Sequence, residues 1–161
     1  MSLPGCADQT IHSDTPHLYT HDTLPGHYFN LFLPALSAEF DNERLEVGQT
    51  AFVLGSHKLK TTYDVMVSSR GNEELNQRLV RPHLEVGDGL VFDCRILHLG
   101  LANQHPSSNT FCVDPAAKLH IPETNANRID TNGWRPLLYI NYHQPWFVDP
   151  KNWNDNERLF K

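Results

Sequence analysis

The chain has 161 residues, of which 39% are hydrophobic and 20% are charged. This length and composition predict one globular domain and are short for two. The formal net charge is −6, and the sequence contains no block of Lys or Arg and no basic amphipathic helix. A nucleic-acid or membrane partner is therefore not expected, and a small, neutral or basic ligand remains open.

The three cysteines favour a reducing compartment. Cys6, Cys94 and Cys112 are odd in number, have no C-x-x-C spacing and occur in a sequence without a secretory signal. This argues against a disulfide framework and against a Cys-based zinc site. No apolar run approaches the length of a membrane-spanning helix. We therefore expect a cytoplasmic location.

Short strand-like segments alternate with Gly and Pro turns along the chain. The first is rich in aromatic residues, and the second is stopped by the turn Gly55-Ser56-His57. Between residues 58 and 81 the sequence predicts a short helix over 72–80, with Asn72 as its cap. The strands are predicted over residues 27–33, 49–54, 89–93, 97–102 and 135–142.

Two polar stretches separate some of these strands. Residues 41–46 predict a loop or turn, and residues 104–133 are rich in Pro, Asn, Ser and Thr without helical or strand periodicity. Long loops in compact domains are usually functional lids or disordered. Many short strands and scarcely one helix predict an all-β sandwich or barrel. We expect a single domain over residues 1–161, a jelly roll with a long loop insertion at 104–133.

The tripeptide His12-Ser13-Asp14 is the first candidate for a metal site. An imidazole and a carboxylate two residues apart on an extended segment point to the same side. One distant imidazole would complete three ligands on one face of a metal, and His98 is the candidate. Non-haem Fe(II) uses such a trio to keep positions open, although zinc would also bind it. Alone, a His-x-Asp motif is more often a surface pair.

Four sequence blocks give this motif a context. In order they are Gln9-x-x-His12-x-Asp14, the segment GQTAFVLGSH at 48–57, the segment GDGLVFD at 87–93 followed by HLGLAN at 98–103, and Arg135-Pro136. Together they resemble the phytanoyl-CoA dioxygenase family of Fe(II)/2-oxoglutarate oxygenases and cover most of the chain. The resemblance implies a double-stranded β-helix, which is a jelly roll. It also implies hydroxylation of a small-molecule substrate with dioxygen, with release of succinate and CO2.

The resemblance also implies roles for particular residues. His12, Asp14 and His98 match the iron ligands, and Arg135 matches the arginine that pairs with the distal carboxylate of 2-oxoglutarate. Gln9 resembles a glutamine that approaches the co-substrate. Read without the family, Gln9 is nearly as well explained as a strand-edge amide, and Arg135 as a solvated residue at a strand start.

Several other residues are rivals or neighbours of this predicted site. Arg128 is a rival of Arg135 because it lies inside the long polar stretch, but Arg135 has the better strand context. His57 is interpreted as a turn and packing element outside the metal shell, and Asn103 as a residue that stabilises the turn after His98. His17 and His21 lie just beyond the metal motif and are candidates for lining the site.

Two alternatives to the oxygenase remain open at this stage. One is a cupin-like metal-dependent enzyme that does not use 2-oxoglutarate, and the other is a non-catalytic binding jelly roll derived from an oxygenase. The family resemblance further implies strands and helices before the metal motif, whereas only residues 1–8 precede Gln9 here. We therefore expect the scaffold around His12 and Asp14 to be shortened.

Overall fold

The computed structural model describes residues 5–35, 48–67, 71–104 and 135–149. Within these ranges the chain forms mostly β-strands and two short helices. The helices are α1 (Leu59–Met66) and α2 (Gly71–Arg78). The strands are β1 (Tyr28–Pro34), β2 (Thr50–Val53), β3 (Leu79–Val80), β4 (Leu90–Asp93), β5 (His98–Gly100) and β6 (Leu137–His143). The all-β class predicted from the sequence is confirmed, and the five predicted strands are β1, β2, β4, β5 and β6.

The strands form two antiparallel sheets of three strands each. The first sheet has the order β4-β1-β6, and the second has the order β3-β2-β5. In the first sheet Asn30 of β1 lies between Phe92 of β4 and Asn141 of β6. In the second sheet Phe52 of β2 lies between Val80 of β3 and His98 of β5. These two sets of cross-strand neighbours include His98, a predicted metal ligand, together with Asn30, Phe52 and Phe92.

Buried and partly buried residues alternate along β1, and the buried ones face the second sheet. Tyr28, Asn30 and Phe32 are buried, whereas the residues between them are only partly buried, as expected for a strand with one face on a core. Phe32 packs edge to face on Phe92, with ring centroids 4.7 Å apart, and Phe92 packs in the same way on Phe52 at 4.9 Å. This aromatic cluster joins the two sheets.

Helix α1 was not predicted from the sequence. Two threonines and a valine in eight residues give it low intrinsic helix propensity, and its N-cap residue Lys58 makes no side-chain cap bond. Burial stabilises it instead, because Val65 packs with Val53 of β2 and Leu97 beside β5. Tertiary packing therefore overrides the weak local signal.

Helix α2 was predicted over residues 72–80, and its observed bounds differ at both ends. The helix begins at Gly71, so Asn72 lies inside the first turn and is not the cap. A Cβ atom at position 71 would lie 2.4 Å from the Val65 carbonyl oxygen, so the close approach of α1 requires a glycine there. Leu79 and Val80 leave the helix and pair with β2 as β3, because sheet pairing competes successfully for these two apolar residues.

The N-terminal segment lies along the free edge of β5. Gly5 and Asn103 are joined by a backbone bond of 2.8 Å, and the Gln9 N–H donates to the Gly100 carbonyl at 2.8 Å. Further along, the N–H groups of Asp14 and Thr15 both donate to the Cys94 carbonyl. The segment that carries the metal motif is thus anchored by backbone hydrogen bonds within the described residues.

The remaining predictions concern loops, cysteines and membrane segments. Residues 105–133 of the long polar stretch and the predicted loop at 41–46 lie outside the described residues, as do Arg128 and Cys112.

Cys6 is exposed and Cys94 is buried, and both are free thiols. Burial raises the pKa of Cys94 far above its usual value. Across the described ranges, no helix has the length and apolar character needed to cross a bilayer.

Candidate metal centre

His12 and His98 face each other across two antiparallel segments. The His12 N–H donates to the His98 carbonyl at 3.0 Å, and the His98 N–H donates to the His12 carbonyl at 2.8 Å. Residues that exchange both bonds are direct cross-strand partners, so their side chains stand on the same face. The two imidazole centroids are accordingly 4.6 Å apart.

Asp14 joins this pair because it follows His12 by two residues. Its Oδ1 lies 3.6 Å from Nε2 of His98. His12, Asp14 and His98 each offer one ligand atom, and these three atoms all lie within 4.8 Å of one another. The structure therefore brings together the three residues that were predicted as ligands, in a grouping that can hold a metal ion.

Both imidazoles are oriented by the backbone two residues before them. Nδ1 of His12 lies 2.8 Å from the Thr10 carbonyl, and Nδ1 of His98 lies 3.0 Å from the Ile96 carbonyl. A carbonyl oxygen only accepts, so each Nδ1 carries the proton and donates it. In the neutral ring this leaves Nε2 with the lone pair that binds a metal.

The carboxylate of Asp14 has a partner, Asn30, that was not predicted from the sequence. Nδ2 of Asn30 donates to Oδ2 of Asp14 at 2.6 Å. The sequence does contain a pattern that points to Asn30. Alternate residues of a strand face the same side, so Asn30 lies on the same face as the buried aromatic residues Tyr28 and Phe32. A polar residue on an apolar face indicates a specific partner.

Aromatic rings enclose His98 on the sides away from His12. Phe52, its cross-strand partner on β2, stacks at 5.7 Å with an interplanar angle of 25°, and Phe92 approaches edge-on at 5.4 Å. His98 is only 5% exposed, whereas His12 and Asp14 are half-buried. The candidate site therefore has a closed apolar wall behind His98 and an accessible side at His12 and Asp14.

A buried ion pair fixes the turn that leads into β5. The Arg95 guanidinium donates to Asp93 through Nε at 2.8 Å and Nη2 at 2.6 Å, and Nη1 donates to the Leu24 carbonyl. Burial alone would raise the pKa of Asp93, but the hydrogen bonds and charge of Arg95 hold it below its usual value. The pair is thus ionised and anchors the β4–β5 turn two residues before Leu97 and three before His98.

Arg135 lies at the entrance to β6, close to Tyr139. Its Nη1 donates to the Gly48 carbonyl at 2.6 Å. Burial lowers the pKa of Arg135 from its usual value, and burial raises that of Tyr139, with the Asp14 charge adding to the latter effect and Arg135 opposing it. Tyr139 therefore lies within the electrostatic reach of both Asp14 and Arg135, whereas the hydrogen bond of Arg135 is to Gly48 and not to a candidate ligand.

The other predicted neighbours of the site lie in different places. Gln9 is exposed at the sheet edge, where its Oε1 accepts a bond of 2.9 Å from the Gly100 N–H. Asn103 is buried beside the N-terminal segment, and its N–H donates to the Cys6 carbonyl. His57 lies in the turn after β2, outside the grouping of three ligands. His17 lies against α1, with Nε2 3.5 Å from Oγ1 of Thr62.

A groove of about 870 Å³ has a mostly apolar lining that includes Phe52 and Phe92. None of the three candidate ligands lines this groove. Because Phe52 and Phe92 also pack on His98, these two rings separate the groove from the metal grouping.

No protein-family model matches this chain.

Proposed function

We propose that this protein is an Fe(II)- and 2-oxoglutarate-dependent dioxygenase, with a jelly-roll fold similar to that of the phytanoyl-CoA dioxygenase family, that hydroxylates a small molecule. The observation that carries the proposal is the grouping of His12, Asp14 and His98 with ligand atoms within 4.8 Å. The sequence blocks that resemble the family support the assignment of iron as the metal.

The donor set fits a divalent iron ion. Two neutral imidazoles and one carboxylate on one face leave other coordination positions open, as in non-haem Fe(II) oxygenases. Neighbouring ligands about 2.1 Å from one metal lie about 3 Å apart, and Nε2 of His98 is 3.6 Å from Oδ1 of Asp14. Both imidazoles already present Nε2 because Nδ1 is tied to a carbonyl.

Arg135 supports a carboxylate-bearing co-substrate. Arg135 is partly buried, and among the described residues no carboxylate forms an ion pair with its guanidinium. A buried cation is costly unless an anion compensates it. The distal carboxylate of 2-oxoglutarate would supply that anion, and the planar guanidinium would hold it through two parallel bonds.

Iron and 2-oxoglutarate, when bound, would with dioxygen supply oxidative decarboxylation of the keto acid to succinate and CO2, in which one oxygen atom enters succinate and the other hydroxylates a substrate C–H bond. The chain contributes orientation and shielding. Asn30 and the carbonyls of Thr10 and Ile96 orient the three ligands. Phe52 and Phe92 keep water away from the His98 side of the site.

Succinate formation tests the proposed reaction. With Fe(II), 2-oxoglutarate and air, we expect the purified chain to convert 2-oxoglutarate to succinate, measured by mass spectrometry, even without its substrate. Asp14→Ala is expected to reduce the rate to that of free Fe(II), because the carboxylate ligand is lost. Equal succinate formation by wild type and Asp14→Ala would contradict the proposal.

A metal-dependent enzyme that does not use 2-oxoglutarate is the second candidate. The bond from Arg135 to the Gly48 carbonyl favours it, since a guanidinium used to hold the start of β2 needs no co-substrate. Under this alternative the metal grouping would act with zinc, manganese or iron alone. The Arg135 variant described below distinguishes the two candidates.

A further inference from the structure

Asn30 is the one polar residue among the three buried positions of β1. It lies between Tyr28 and Phe32 on the face that meets the core and is only 4% exposed. On the neighbouring strands it pairs with Phe92 and Asn141. An amide at such a position costs stability unless all of its polar atoms are hydrogen-bonded.

The amide of Asn30 is satisfied on one side only. Nδ2 donates to Oδ2 of Asp14 at 2.6 Å, whereas Oδ1 is buried and makes no hydrogen bond to the described residues. Turning the amide over would place Oδ1 against the carboxylate, where two acceptors repel each other. The orientation is therefore dictated by Asp14, and the contact with Asp14 offsets part of the cost of the unmatched oxygen.

The two carboxylate oxygens of Asp14 have different neighbours. Oδ2 is held by Asn30, and Oδ1 lies on the side of His98 Nε2, at 3.6 Å. We propose that Asn30 is a positioning residue that restricts Asp14 to binding a metal through Oδ1 alone. A carboxylate that chelates through both oxygens occupies two positions on the metal, so Asn30 keeps one more position open for a co-substrate. The inference rests on the proposed metal centre and on no particular co-substrate.

Co(II) is a suitable probe because its visible absorption reports the number and arrangement of its ligands. Asn30→Leu removes the donor and the unmatched oxygen at nearly constant volume. We expect the Kd of Co(II) to rise about 10- to 100-fold, as for other residues that orient metal ligands, and the absorption spectrum to change because Oδ2 of Asp14 loses the donor that holds it. The melting temperature of the metal-free variant is expected to equal or exceed that of wild type.

Asn141→Leu is the matched control. Asn141 is the cross-strand partner of Asn30, but it is exposed and donates to the Tyr28 hydroxyl at 3.0 Å. Its replacement should leave both the Kd and the spectrum of Co(II) unchanged. If Asn30→Leu does not fold, Asn30→Ala carries the same test, since the smaller side chain cannot clash.

The possible results separate this inference from the proposed function. A folded Asn30 variant with the Kd and spectrum of wild type would overturn the role of Asn30, as would an equal change in Asn141→Leu. A wild-type chain that binds no Co(II) would overturn the metal centre and the inference together. Normal Co(II) binding with the Asn30 effect but without succinate formation would support the role of Asn30 and contradict only the oxygenase.

Discussion

Replacing Arg135 by alanine is expected to raise the Kd of 2-oxoglutarate at least about 100-fold while the Kd of the divalent metal stays within about twofold. Two charge-assisted hydrogen bonds to a carboxylate contribute about 1.5–3 kcal/mol each, and about 1.4 kcal/mol corresponds to a factor of ten. The metal ligands lie on other segments, so their geometry does not depend on this guanidinium. Titration of the metal-loaded protein with 2-oxoglutarate by calorimetry measures the effect.

Two further arginine variants sharpen this test. Arg135→Lys keeps the charge but loses the planar fork, so it should recover only part of the affinity. Arg78→Ala is the control, because Arg78 lies on the surface of α2 and pairs with Glu74. Unchanged binding of 2-oxoglutarate by Arg135→Ala would show that Arg135 only holds the Gly48 carbonyl, and would favour the metal-dependent enzyme without 2-oxoglutarate.

Replacing His98 by alanine is expected to weaken metal binding by more than about 100-fold. Loss of a residue that merely orients a ligand costs about 10- to 100-fold, and loss of a ligand itself should cost more. The variant should also lose about 2–4 kcal/mol of unfolding free energy, because the buried imidazole packs between Phe52 and Phe92. Calorimetric titration with Co(II) and thermal unfolding of the metal-free protein measure the two effects.

His27 provides a matched control for His98. It is 2% exposed, its Nδ1 contacts the carbonyl of Pro25 two residues before it at 3.0 Å, and its ring packs on Phe147. It lies outside the metal grouping. His27→Ala should therefore lower the stability to a similar extent without changing the Kd of Co(II). A similar loss of metal affinity in both variants would mean that instability, and not the missing ligand, explains the result.

Much of the metal grouping could be predicted from local sequence rules. The two-residue spacing of His12 and Asp14 fixes their common side on any extended segment. The strand that contains His98 was also predicted, from its apolar residues and bordering turns. The direct pairing of His12 with His98 could not be derived in this way, because register between segments so far apart in the chain is set by the fold as a whole.

The surroundings of the site were harder to predict because they depend on tertiary contacts. Asn30 contacts Asp14 only because β1 and the N-terminal segment lie side by side. Helix α1 was missed because its stability comes from Val65 packing on β2, which no local propensity reveals. The backbone bonds from Asp14 and Thr15 to the Cys94 carbonyl, which anchor the metal motif, also depend on the fold as a whole.

The most direct test of the central proposal is the visible absorption of the protein with Fe(II) and 2-oxoglutarate in the absence of oxygen. A keto acid chelated to Fe(II) gives a weak charge-transfer band. We predict this band for wild type, its loss in Asp14→Ala, and its appearance only at much higher 2-oxoglutarate concentration in Arg135→Ala. Absence of the band from a folded wild-type protein saturated with Fe(II) would contradict the assignment of this site to a 2-oxoglutarate-dependent oxygenase.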